Sequence, residues 1–97
     1  MVLVSGKNRA DIQILNEIVG EIVQSAKPTT VLALTGYPVG AVPPIGVKGT
    51  FPVIMDADLM LQEHVWASAG AENVLIKFDP VDLLNLSKGK IEVIKQA

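Results

Sequence analysis

The chain has no cysteine among its 97 residues. That excludes disulfides, thiolate metal ligands and thiol nucleophiles. Aromatic residues are almost as scarce, with one Trp, one Tyr and two Phe. The multi-ring platform on which single-strand-binding proteins stack bases is therefore missing, and Val, Ile, Leu and Ala must fill the core. Basic residues are too few and too scattered for a nucleic-acid face. Ten acidic residues against eight basic ones give a net charge of −2, so any contact with nucleic acid must be local. No apolar run approaches the roughly 18 residues of a membrane span. Met1-Val2-Leu3-Val4 is too short for a signal peptide and has no basic stretch before it. The cytosol is the expected compartment, and a membrane is not an expected partner.

What remains is a short, apolar chain. Hydrophobic residues make up 49%, enough for one modest core, and residues 1–97 read as a single domain. Met1–Val4 reads as a strand, followed by a turn at Ser5–Arg9. Ile12, Leu15, Ile18 and Val19 fall at helical spacing within residues 10–19, with Gly20 as a stop. Glu21–Ser25 reads as a short strand. Pro28 opens a second helix through about Leu34, and Gly36 ends it. Phe51–Met55 reads as a buried strand, with a short helix over 57–62 capped by Asp56. His64–Ala69 and Val74–Phe78 read as strands around a turn at 70–73. Asp79 and Pro80 start a last helix ending near Leu86, and Ile91–Ile94 closes the chain as a strand. Connections such as 69 to 74 are too short for a parallel crossover. The fold class is therefore mixed α/β with a mixed sheet, not a doubly wound parallel one.

The densest punctuation lies at Leu34–Gly46, with three glycines and three prolines in thirteen residues. Proline fixes φ and removes a donor, whereas glycine admits positive φ and close backbone approach. A stiff loop of presented N–H groups results, able to meet a carbonyl or developing oxyanion; a tight turn that only reverses the chain is the plainer alternative. Other candidates have plain readings too. His64, the single histidine, is a general base or, on the preferred reading, a half-buried structural residue. Asp56 and Asp58 fit helix capping better than a metal loop, which needs many more oxygens, and Asp79 and Asp82 repeat the pattern. Trp66 reads as core. Ser68 lines a pocket or is merely small, and the two readings stay open. No Walker motif, dinucleotide fingerprint, HExxH or GxSxG occurs. An enzyme of this composition would work by positioning and backbone electrostatics.

Thr35-Gly36-Tyr37-Pro38-Val39-Gly40-Ala41-Val42-Pro43-Pro44-Ile45-Gly46 resembles the loop of the YbaK-like editing domains related to prolyl-tRNA synthetase insertions. Four further pieces match in order: Ser5–Asp11, Val53–Asp56 with Leu59, Val65–Gly70 and Phe78–Leu84. The resemblance implies an α+β fold with an irregular, partly barrel-like sheet and short flanking helices. It implies an aminoacyl-tRNA deacylase that hydrolyses mischarged tRNA, of the alanyl- or cysteinyl-tRNA(Pro) type, with no cofactor and no metal. The family's glycine-to-proline motif maps onto Gly40–Pro44, so backbone at Gly40 and Pro44 is the expected catalytic element. Gly36, Tyr37, Ala41, Val42, Pro43 and Gly46 complete the substrate loop. Ser68, Ala69 and Gly70 form the expected opposite wall, and Lys48 is a candidate phosphate contact. The expected partner is the 3′ end of an aminoacyl-tRNA, touched locally. Family members carry a further N-terminal segment with a lysine on the strand before the one that opens this chain. The expectation here is a short form, and Lys7, in the turn, does not take that lysine's role. Some relatives also have an acidic residue where this chain reads Val74-Leu75-Ile76. Two other expectations follow from the short form: a non-catalytic module binding the aminoacyl group or tRNA end, and a homodimer through an exposed sheet edge.

Overall fold

The computed structural model describes residues 1–47, 51–71 and 73–97. The helix signals are local, and the helices fall where those signals stand. Helix α1 spans Ile12–Val19. The Asp11 carboxylate accepts from Gln13 N and Ile14 N, and Gly20 closes the helix at φ 83°. Helix α2, Pro28–Thr35, has Pro28 in its first turn and Gly36 at its end. Helix α3, Pro80–Ser87, is capped by Asp79, which accepts from Val81 N. In each case the cap satisfies amides or carbonyls that a helix end leaves without partners.

The strands form two sheets. Strands β1 (Val2–Leu3), β2 (Ile54–Asp56) and β5 (Lys90–Glu92) make a parallel sheet in the order β1-β2-β5. Leu3 stands opposite Met55, and Met55 opposite Ile91. Parallel neighbours need long crossovers, and α1, α2 and the Gly/Pro loop supply the first. The second crossover contains a 3₁₀ helix (Ala57–Leu61), an antiparallel hairpin and α3. The hairpin consists of β3 (Val65–Ser68) and β4 (Leu75–Phe78). The architecture is mixed α/β, as expected. Among the described residues neither sheet closes into a barrel, so the barrel-like part of the expectation is looser than what is seen.

One core joins the two sheets. Val53, Met55, Leu59, Phe78 and Leu83 are buried together, with Leu3, Ile45, Val65, Ala67 and Leu84 packed against them. Each such side chain contributes on the order of 1.5–3 kcal/mol by leaving water.

Several expectations need correction. Glu21–Ser25 forms no strand: Ile22 is 89% exposed, and the Val23 amide donates to the Asn16 side chain, not to a neighbouring strand. β2 begins later than Phe51 because Pro52 has no N–H to donate; its carbonyl accepts from the Met1 amine. Asp56 does not cap the 3₁₀ helix. It is fully buried, and its Oδ1 accepts from Ile94 N at 3.0 Å. The last strand stops at Glu92, and beyond it Ile94 is buried singly.

Candidate functional site

The Gly/Pro loop is built outward from Thr35. The buried Thr35 hydroxyl donates to Val31 O at 2.7 Å and accepts from Tyr37 N at 3.1 Å. Pro38–Ala41 then closes a β-turn, with Ala41 N donating to Pro38 O at 3.0 Å. Gly40 takes the turn's third position at φ 90°, where a side chain would be strained. Beyond the turn Ala41, Pro43 and Pro44 are buried, and Val42 is half-buried.

The end of β3 lies against this loop. Ser68 Oγ donates to Gly40 O at 3.1 Å, and Gly70 N donates to Ala41 O at 3.0 Å. Gly70 has φ 97°, and a Cβ there would stand 3.1 Å from Tyr37 Cε1. Loop and strand end are thus held by two hydrogen bonds, and Gly70 leaves room for the Tyr37 ring.

Beside this junction lies a cavity of about 440 Å³, within the range of small-molecule sites. Ser5 and Gly6 form one rim, Val42 and Pro44 the loop side, and His64 and Trp66 a third side. Ser68 and Ala67 also border it, with Leu59 and Leu83 at its apolar floor. Among the expected site residues, Val42, Pro44 and Ser68 border the cavity. Gly36, Tyr37, Gly40, Ala41, Pro43, Gly46, Ala69 and Gly70 support the loop and its junction without lining it. Lys48 lies outside the described residues.

The donors available to a ligand differ from a uniform row of amides. Ala41 N is used inside the turn. Among the described residues the amides of Gly40 and Val42 have no protein acceptor, and of these Val42 borders the cavity. A backbone N–H without an acceptor seeks one. Ser68 Oγ is engaged with the loop, so its hydroxyl acts as a strut.

Two expectations are overturned. Trp66 is not core: it is 61% exposed. His64 is exposed, not half-buried, and its Nε2 stands 4.0 Å from Glu63 Oε1. Val65 and Ala67 turn towards the core, so the alternation along β3 places Trp66 on the opposite face, and His64 stands just before the strand.

One feature near the rim had no sequence signal. Asp58 Oδ2 accepts from Lys95 Nζ at 2.7 Å and from Asn8 Nδ2 at 2.9 Å. The Lys95 ammonium, then the Asn8 amide, hold the Asp58 carboxyl below the usual carboxylate range. The hydrogen bond to Asp58 raises Lys95 above its ordinary value. These partners lie far apart in sequence, which is why spacing could not reveal them. Among the described residues no cluster of three or more His, Asp or Glu side chains could hold a metal.

The family model for the aminoacyl-tRNA editing domain matches residues 1–86. Several solved structures are similar. One, from the computational grafting of epitope backbones onto scaffold proteins, is 36% identical with a TM-score of 0.95, covering 99% of this chain and 62% of that one. A candidate trans-editing enzyme for prolyl-tRNA synthetase is 36% identical, TM-score 0.95, over 99% of this chain and 61% of that one. The hypothetical protein APE2540 is 30% identical, TM-score 0.91, over 98% and 63%. The chain spans about three-fifths of the length of these structures. No curated protein matches it.

Proposed function

The chain belongs to the aminoacyl-tRNA editing domain family, and from that membership we propose that it hydrolyses the ester joining a mischarged amino acid to its tRNA. The substrates are alanyl- and cysteinyl-tRNA(Pro). The observation that carries the reading is the cavity beside the Gly/Pro loop, bordered by Val42, Pro44 and Ser68. At about 440 Å³ it is roomy enough to take an aminoacyl group together with part of the ribose that carries it. The Val42 N–H is the donor for the ester carbonyl, and it meets most strongly the charge that develops on that oxygen. Water adds to the carbonyl carbon, the bond to the ribose oxygen breaks, and that oxygen leaves with a proton as the free hydroxyl. The ribose hydroxyl next to the ester assists the proton transfer. No side-chain base is required of Ser68, whose hydroxyl holds Gly40 O. The reaction takes place in the cytoplasm, where charged tRNA is used.

The test is deacylation of alanyl-, cysteinyl- and prolyl-tRNA(Pro). Turnover of the first two above the spontaneous rate, with prolyl-tRNA spared, supports the reading. No turnover of any of them overturns it. Binding of an uncleavable analogue without turnover would select a non-catalytic module instead.

A second reading concerns assembly. Leu75 and Ile76 in β4, and Val74 just before it, are exposed, and β4 pairs only with β3 among the described residues. An open edge carrying apolar side chains invites a second copy, which supports a homodimer through this edge.

A further inference from the structure

We propose that Trp66 and Lys77 form a platform at the cavity mouth for the terminal adenosine of the substrate. The indole stacks on the base, and the ammonium meets the adjoining phosphate. This rests on the editing reading and extends it from the acyl group to the nucleotide.

Trp66 is the single tryptophan. It borders the cavity while remaining 61% exposed. An indole left so open beside a cavity is an available stacking surface. Lys77 stands directly opposite it in the hairpin register, so both side chains rise from one face of the sheet. Lys77 is exposed and makes no ion pair among the described residues. Ser68, two residues along β3, shares that face, and its hydroxyl is bonded to the Gly/Pro loop. The platform and the acyl cavity are thus parts of one surface.

The charge balance points the same way. A net charge of −2 gives no long-range pull on a polyanion. The acceptor end must therefore be held by short-range contacts, and one stacked base with one charge-assisted contact is the smallest set that does so. The rival occupant is a second copy, since Leu75 lies on the same face opposite Ser68 and is exposed. Lys77 in the middle of the patch weighs against it, because interface centres are depleted of charge.

The lone tryptophan makes its own emission the reporter. An uncleavable amide analogue of alanyl-adenosine, with and without a 5′-phosphate, is titrated into the full chain. Alanine amide and AMP are titrated alongside. The expected result is saturable quenching by the analogue, with binding roughly tenfold tighter than that of alanine amide. In equilibrium dialysis Trp66→Ala loses that tenfold and Trp66→Phe keeps most of it. Lys77→Gln weakens only the phosphorylated probe. Unchanged emission while the analogue binds overturns the platform, as does full affinity in Trp66→Ala. Quenching by AMP as tight as by the analogue overturns it in favour of free nucleotides. An emission shift with protein concentration alone overturns it in favour of a second copy. In each of these cases deacylation by the unaltered chain still stands, whereas loss of both turnover and all binding removes the editing reading as well.

Discussion

Gly40 and Gly70 both hold positive φ, but their surroundings differ. A Cβ on Gly40 would meet open space, whereas one on Gly70 would press on the Tyr37 ring at 3.1 Å. Gly40→Ala should therefore show backbone strain alone, about 1–2 kcal/mol, and Gly70→Ala should cost more. Urea unfolding checks the order, and Tyr37→Leu in the Gly70→Ala background should recover part of the loss, because neighbours in contact are not additive. Asp56 offers a second residue-scale test. Its Oδ1 holds the Ile94 amide, and its Oδ2 is buried with no partner among the described residues. Asp56→Ala leaves that amide unpaired and should lower stability by about 1–3 kcal/mol, read in the same unfolding experiment. The sequence marked Asp56 as a cap because Asp before a short helix usually is one. Nothing local revealed that Ile94, far along the chain, would claim the carboxylate. Trp66 reads as core in the sequence, and its exposure has a related reason: burial belongs to whatever covers a strand, and the strand itself does not state it.

At the scale of elements, the C-terminal segment clasps the turn that forms the cavity rim. Asp11 N donates to Ile94 O at 2.6 Å, and Gln96 N to Arg9 O at 2.7 Å. Lys95 joins Asp58, and Asn8 completes the cluster. The Asp58 pKa is lowered in the folded chain, so its contribution is present above the ordinary carboxylate value and is lost as pH falls through the lowered one. The Lys95 pKa is raised, so its contribution is present below the ordinary lysine value and is lost as pH rises through the raised one. The pair is partly exposed, and the effect is small. Unfolding midpoints followed across pH should show a plateau between those limits, and Asp58→Asn should flatten both shoulders. An unchanged profile in that variant contradicts the assignment. Helices were more legible than strands for a physical reason. Asp11, Gly20, Pro28, Gly36 and Asp79 act within their own turns, whereas a strand such as the one expected at Glu21–Ser25 exists only if a neighbour pairs with it.

On the scale of the whole molecule, the ordered pieces read in the sequence assemble around one cavity, although the fold's parallel sheet could not be foreseen from them. Pairing of β2 with both β1 and β5 is set by long crossovers that leave no local trace. The proposed homodimer would pair along the backbone edge of β4, where Ile76 is exposed on the face away from Trp66 and Lys77. Sedimentation should then show concentration-dependent association, weakened by Ile76→Lys, since a charge on an edge strand discourages pairing. A monomer at every concentration removes that reading.

The position of the aminoacyl ester is the decisive point. Amide chemical-shift mapping with the uncleavable alanyl-adenosine analogue locates it directly. Perturbations should centre on Val42, Ser68 and the Ser5–Gly6 rim, with the largest change at the Val42 N–H. Shifts confined to the second hollow, lined by Arg9, Ile12 and Val23, would contradict it.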